Sequence, residues 1–524
     1  MDDVARAWAA AGHATTYHFL DANLEEGEDL DDAWTAATAA LARSLGAAWL
    51  CGDAGLWHVG PRDRGHGVLL PPVLTPASAR VMAENVRRLR ETSGFEVLPE
   101  NPPAHVYLGE LHLLDYFARV LEGADAGMLL DVAHLAIHQR ASGRAPLDGL
   151  AGFPLERVVE LHVAGATEFE QAGRRFVDDD HSPEPLPDTW EILDYVLPRA
   201  PHCRAIVYEC ERNPREAVLA NFERLARLVE TTPAPRAVGR TPGRSARADT
   251  IAPAAVRKLQ RTLVRMQHDP GFAARLRAGD ASALASTALD AGEAAALCAL
   301  DPVAIAADRE GRRGAQLLHN LSSELRASAA VGPDGDGSPR WIEAFPRSVF
   351  FHDAIAADTP LPLAFACFTE QCAAGAASPL FRALAALDVA MVRARREPVP
   401  TPQCPPGAVR LAGGARVVAL PGGTHAASTA IAAGERRIDA LRVDPERSER
   451  VLLVRDGAPY FGRLPELRVE LLAPAVAAFL EAARRPLDAA AIARFAAAQD
   501  FEPEELAAGI EELVGEGVLE RGAP

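Results

Sequence analysis

Over residues 1–230, short apolar runs of strand length alternate with amphipathic helical stretches, and most of the runs close on a polar residue able to bind a metal. The strand-like runs fall at 14–20, 46–51, 95–99, 127–131, 158–163 and 205–208, with helical stretches near 30–45, 75–92, 109–122, 188–199 and 214–230. Parallel neighbours need a long crossover, usually a helix, so this alternation predicts a parallel sheet wrapped by helices. The fold class expected is α/β, a TIM-type (β/α) barrel, although six such units are fewer than the eight of a closed barrel.

In a barrel the C-terminal strand ends converge on one face, where active sites of this fold are built. Here those ends carry His18, Asp53, Glu100, Asp131, His162 and Glu209, and eleven of the fifteen histidines lie within the first 202 residues. His134 follows Asp131 by three residues, Asp179 and His181 stand two apart in an expected loop, and Glu211 follows Glu209. Gly165, after His162, permits close backbone approach. Singly, an acidic residue after a strand is most often a helix N-cap, and a lone histidine can be a satisfied core residue. Capping does not require carboxylates and imidazoles to gather on one face, so the combination points to metal binding. Mixed carboxylate and imidazole donors suit iron, manganese or zinc. The candidate ligands are Glu100, Asp131, His134, His162, Asp179, His181, Glu209 and Glu211, with His18 and Asp53 as further candidates. His58, His66, His105, His112 and His138 read as supporting or surface residues.

Composition narrows the classes. No apolar run approaches the ~20 residues that span a bilayer, and the N-terminus lacks the basic and apolar segments of a signal peptide, so a cytoplasmic location is expected. The net charge is −18 and Lys258 is the only lysine, which argues against a nucleic-acid partner. Seven cysteines are scattered without a CxxC pair, which favours reduced thiols over a disulfide framework or a zinc ribbon. GxGxxG, P-loop, GxSxG and HExxH motifs are absent from the sequence.

After the barrel at 1–230, residues 231–253 read as a Pro/Gly/Thr/Arg-rich linker. Residues 254–400 return to helical periodicity, with Asp269-Pro270 and Asp301-Pro302 as helix starts and aromatics of a packed core from Trp341 to Phe368. Residues 401–470 form a β-rich segment between Gly-rich turns. Residues 471–524 read as a small helical, winged-helix-like unit suited to a partner rather than DNA.

At the motifs Tyr17-His18-Phe19, Glu100-Asn101-Pro102, Leu129-Leu130-Asp131-Val132-Ala133-His134, Glu160-Leu161-His162-Val163-Ala164-Gly165, Asp179-Asp180-His181-Ser182 and Tyr208-Glu209-Cys210-Glu211, the sequence resembles the multinuclear non-heme iron-dependent oxidative enzymes. The resemblance runs in family order over roughly residues 10–230. It implies a barrel binding two or three irons, mixed Fe(II)/Fe(III), through residues matching Glu100, Asp131, His162, Asp179, His181, Glu209 and Glu211, with His134 where the family usually has asparagine. It implies O2 as co-substrate and oxidative modification of a ribosomally made precursor peptide at cysteine, begun by hydrogen abstraction beside sulfur. The family commonly works with a separate leader-binding partner. Residues 254–470 look like such a partner fused behind the linker, making a separate one unnecessary.

The chain departs from that pattern in three places. The family's first βα unit and its acidic motif have no counterpart, Cys51-Gly52-Asp53 replaces a Ser-acidic-His motif, and a histidine expected near residues 81–84 is missing. An altered metal count is the implied result. Two other readings fit part of the pattern: a divalent-metal barrel of the sugar-isomerase type, and a degenerate barrel that binds a peptide or partner without catalysis.

Overall fold

A computed structural model of the chain describes residues 3–26, 30–58, 69–232, 253–357, 359–399, 403–456 and 464–523. Its described residues divide into two compact units, one within residues 1–317 and the other within residues 318–524. The linker expected over 231–253 lies, apart from its ends, outside the described residues.

The first unit begins with α1 (Asp3–Ala10), β1 (Thr15–His18), α2 (Asp32–Ser44), β2 (Ala47–Asp53), α3 (Pro76–Ser93), β3 (Val97–Glu100), α4 (Leu113–Ala124), β4 (Met128–Asp131) and α5 (Val132–Ala141). It continues with β5 (Val158–Gln171), β6 (Arg174–Ser182), α6 (Pro187–Val196), β7 (Ala205–Glu209) and α7 (Arg215–Thr231). Strands β1, β2, β3, β4, β5 and β7 pair in parallel in that order. They make a parallel half-barrel of six strands with helices, as the alternation of runs requires.

Side-chain parity sorts its layers, since alternate residues of a strand face opposite sides. Leu50, Val97, Met128, Leu130 and Leu161 face outward and pack in one buried cluster with Met82, Val86 and Leu89 of α3 and Phe117 and Val120 of α4. Trp49, Cys51, Leu98 and Leu129 form a separate buried cluster. One step further along the same faces come Asp53, Glu100 and Asp131, so this apolar layer floors the polar one.

Two elements differ from the expectation. Residues 178–181 lie on strand β6, not in a loop: β5 runs on past the sheet to Gln171 and turns through Ala172 and Gly173, both at positive φ (51° and 77°), into antiparallel β6. That is the two-residue hairpin geometry whose usual signature is Asn-Gly, and Ala-Gly is a weaker sign of it. Helix α5 lacks the usual sign for a different reason. Its residues Val132 to Gln139 are all buried, so it shows no polar face and no amphipathic period.

Beyond the linker, α8 (Pro253–His268), α9 (Pro270–Arg277), α10 (Ala281–Ala285), α11 (Ala291–Cys298) and α12 (Pro302–Glu310) belong to the first unit. Asp269 and Asp301 cap α9 and α12 ahead of their prolines. Gln260 of α8 bonds the buried Glu25 at 2.7 Å, and Arg257 pairs with Glu26 at 2.8 Å.

In the second unit, helices including Leu361–Gly375 and Pro379–Arg396 enclose an aromatic cluster in which Trp341 stacks on Phe365 and Phe345 packs on Phe351. There follow β8 (Val409–Leu411), β9 (Ala415–Gly422), β10 (Asp444–Asp456) and β11 (Glu466–Leu471), with β9, β10 and β11 in one antiparallel sheet. Three helices (Pro474–Ala482, Ala489–Gln499 and Pro503–Gly515) lead to β12 (Leu519–Arg521), which pairs with β8. Among the described residues no helix is long and apolar enough to cross a membrane, and all seven cysteines are free thiols.

Candidate metal centre

Every strand end singled out in the sequence reaches the same mouth of the half-barrel. Register places Asp53 beside Glu100 and Asp131 beside His162. The β5–β6 hairpin, with Gly165 opposite Ser182, brings Asp179 and His181 back over that mouth, and β7 supplies Glu209.

Three carboxylates and three imidazoles there form a closed ring. From Asp179 it runs to His134 (3.5 Å), Glu100 (3.7 Å), His162 (3.3 Å), Glu209 (3.4 Å) and His181 (3.5 Å), and back to Asp179 (3.6 Å). Asp131 joins at His134 (3.6 Å), and His18 bonds Glu100 at 2.6 Å. Apart from the His18 bond, these spacings are longer than ordinary hydrogen bonds. Two donors each about 2.1 Å from one ion stand about 3.0–3.4 Å apart at octahedral or tetrahedral angles, close to the spacing seen. Three groups bring their donor atoms within 4.8 Å of one another: His18, Asp53 and Glu100; Glu100, Asp131 and His134; and Asp131, His162 and Glu209.

Each ring histidine is oriented from behind. His134 Nδ1 donates to the Asn101 carbonyl at 2.8 Å, which turns Nε2 toward Asp131 and Asp179. His162 Nε2 lies 3.4 Å from Glu160, which leaves Nδ1 for Glu100 and Glu209. His181 Nδ1 lies 3.0 Å from Glu211, which leaves Nε2 for Asp179 and Glu209. One nitrogen held by an acceptor and the other aimed at carboxylates is the arrangement in which a second layer fixes a metal-binding imidazole. Glu211, expected among the ligands, faces His181 Nδ1, and like Asp179 and His181 it belongs to none of the three groups.

Asp131 combines two roles that the sequence presents as alternatives. Its Oδ1 caps α5 by accepting from the His134 amide at 2.6 Å, and its Oδ2 faces the ring. Asn101 clamps its backbone at both ends, accepting from the Asp131 amide at 3.0 Å and donating to its carbonyl at 2.9 Å. Glu160 was outside the expected set. It is fully buried, takes a 2.5 Å bond from the Trp49 indole, and sits under His162. The signal for it was its two-residue spacing from His162, which puts both on one face of β5.

Buried acids at this density are costly without cations. Burial, together with the charge of Glu100, pushes Asp53 up to about 8, and burial likewise takes Asp131 to about 8, with Glu209 and Glu100 adding to it. Burial also acts to raise Glu100, but His162 and His18 override it and hold that carboxyl below the usual range. Burial acts to lower His134 and His162, yet the surrounding carboxylates hold both well above the ordinary imidazole value. The carboxyl oxygens Asp53 Oδ1 and Asp131 Oδ2 are buried and make no hydrogen bond. Orphaned acceptors beside imidazoles already fixed from behind are what a bound metal ion would satisfy.

Of the remaining histidines, His112 caps α4 and His138, one turn after His134, is buried against Tyr107 and His112. His105 lies under the β5–β6 hairpin. His66 lies outside the described residues.

Comparison with known proteins covers this same region. Residues 6–230 match the family described as RiPP precursor modification enzyme MbnB/TglH/ChrH. The chain is 29% identical over 132 residues to a UPF0276 protein of Rhizobium meliloti, covering 25% of this chain and 43% of that protein. It is 31% identical over 129 residues to a UPF0276 protein of Pseudomonas aeruginosa PAO1, covering 24% and 44%. A UPF0276 protein of Anaeromyxobacter is 25% identical over 215 residues, covering 41% and 74%. The chain thus spans less than half the length of the first two relatives. Over its half-barrel domain, residues 6–230, this chain is similar to the family described as RiPP precursor modification enzyme MbnB/TglH/ChrH.

Proposed function

We propose that the chain is an iron- and oxygen-dependent enzyme that oxidatively modifies a ribosomally made precursor peptide at cysteine, and that residues 254–470 recruit the peptide's leader. The observation that carries this reading is the closed ring of Glu100, His162, Glu209, His181, Asp179 and His134. Its size supports more than one metal ion, since nine donor residues, counting His18, Asp53 and Asp131, surround one mouth. Carboxylates with imidazoles, and no thiolate among them, suit iron that must react with oxygen. Bound iron would supply Lewis acidity and one-electron chemistry with O2.

The chain's own residues do the rest. Trp49, Cys51, Leu98 and Leu129 close the floor and keep bulk water from the buried donors. Asn101, Glu160 and Glu211 hold the imidazoles in orientation. His18 and Glu209, less buried than the floor, leave the mouth open toward an incoming peptide. The family that residues 6–230 match supports the substrate class, and the helical pattern and position of residues 254–470 behind the linker support recruitment in cis.

The test uses the full chain loaded with Fe(II) under anaerobic conditions. It is mixed with a cysteine-containing precursor peptide encoded beside its gene and then exposed to O2. A mass change in the peptide that His162→Ala abolishes is expected. An unmodified peptide with iron-loaded protein and O2 present overturns the proposal.

A further inference from the structure

The helices that follow the family match place one buried acid against the barrel. Asp308, on α12, accepts from the backbone amide of His105 at 3.0 Å, and the same oxygen lies 2.8 Å from His105 Nδ1. Both side chains are buried, at 7% and 4% exposure for His105 and Asp308. The other ring nitrogen, Nε2, lies 2.7 Å from the carbonyl oxygen of Val177. A carbonyl oxygen can only accept, and so can a carboxylate, so the ring joins the two as an imidazolium, with Nε2–H bonded to Val177 and Nδ1 in an ion pair with Asp308. The imidazole therefore bridges α12 and β6. Phe169 and Phe176, one on each arm of the β5–β6 hairpin, pack on its faces and edges with centroids 5.9 and 5.2 Å away.

Val177 stands two residues before Asp179 and four before His181 on the same strand. Fixing its backbone sets the position of both donors. The contact is reinforced at both ends of α12. Asp301, its N-cap, pairs with Arg174 at the start of β6. Gly311, just past its end, lies so near that a Cβ there would stand 3.2 Å from Asp178 Oδ1.

We infer that Asp308 is a positioning residue for the metal centre: through His105 it fixes the Val177 backbone and so the seating of Asp179 and His181. The appended helices then do more than recruit a peptide, because α12 is part of the support of a metal-binding strand. The inference rests on the metal-centre reading of the ring.

The test compares the full-length wild type with Asp308→Asn, His105→Phe and the double variant. Each is titrated with Fe(II) alone and desalted, its iron is counted by elemental analysis, and its ⁵⁷Fe Mössbauer spectrum is recorded. Far-UV circular dichroism confirms folding. Asp308→Asn keeps an acceptor oxygen for the His105 amide but removes the charge, and His105→Phe fills the aromatic pocket without the bridge.

Each single variant is expected to bind one of the irons about 10–100-fold more weakly, the usual cost of losing an outer-layer partner, with that iron's Mössbauer doublet altered. The double variant should be no worse than His105→Phe alone, since one residue acts through the other. Wild-type iron number and affinity in Asp308→Asn, or losses that add in the double variant, would overturn the inference. If Asp308→Asn does not fold, His105→Phe decides by the same readout. A wild type that binds no iron brings down the metal reading itself, which is a distinct outcome.

Discussion

Gly165 and Ser182 approach so closely that a Cβ on Gly165 would lie 1.7 Å from the Ser182 carbonyl oxygen. The two residues are register partners where β6 returns to β5, next to His181, whose φ of 51° is unusual for a residue with a side chain. The bond from Asn213 to the His181 carbonyl, at 2.5 Å, holds that conformation.

Gly165→Ala should therefore push β6 away from the mouth. The expected cost is about 1–3 kcal/mol of stability, as for other overpacking changes, together with loss of metal bound through Asp179 and His181. Thermal unfolding and elemental analysis of the same preparation check both. A variant with wild-type metal content would show that the close approach is not what seats the strand.

Ring members and their supports should separate on substitution. Glu209→Ala or His162→Ala removes a donor shared between neighbours and should abolish loading of at least one iron. Glu211→Gln keeps a group that can accept from His181 Nδ1 and should weaken binding no more than about 10–100-fold. Fe(II) titrations of the three variants distinguish the classes, and equal losses would place Glu211 among the direct ligands.

Metal uptake should release protons. Without metal, Asp53 and Asp131 titrate near 8, so at pH 7 both hold protons that a cation must displace. Apparent Fe(II) affinity should rise between pH 6 and 8, by about tenfold per pH unit for each proton displaced. An affinity that does not change across this range would contradict the assigned protonation.

Glu25 makes a stability prediction independent of metal. Burial raises its carboxyl to about 7, against partial compensation by hydrogen bonds from Ser78 and Gln260. The protonated form is the one the fold favours, so its contribution is full below the ordinary carboxyl value near 4.5 and is lost as pH rises through 7. The shift sets a ceiling of roughly 3 kcal/mol. Denaturant unfolding at pH 5 and pH 8 should show that decline, and Glu25→Gln should flatten it. An unchanged slope in the variant would assign the pH dependence elsewhere.

Much of the barrel was legible because its strands are apolar runs that stop on polar residues, and parity then put Asp53, Glu100, Asp131 and His162 on one face. What stayed hidden had physical causes. Helix α5 is buried on every side and shows no period, so the turn that carries His134 into the ring was not visible. The hairpin that brings Asp179 and His181 back turns on Ala172-Gly173, a weak signal for a turn that needs two positive φ angles. The split between ligand and support at Glu209 and Glu211 depends on which imidazole nitrogen each faces, which spacing alone does not encode. The bridge from Asp308 to Val177 joins residues more than 130 positions apart.

The central claim is that these residues hold a multinuclear iron centre. It is tested most directly by counting metals in the full chain purified and loaded anaerobically with ⁵⁷Fe(II), with Mössbauer spectroscopy to identify the ligand environment. More than one iron per chain, in nitrogen and oxygen coordination, is predicted. A single zinc or magnesium ion, or no bound metal, would contradict it.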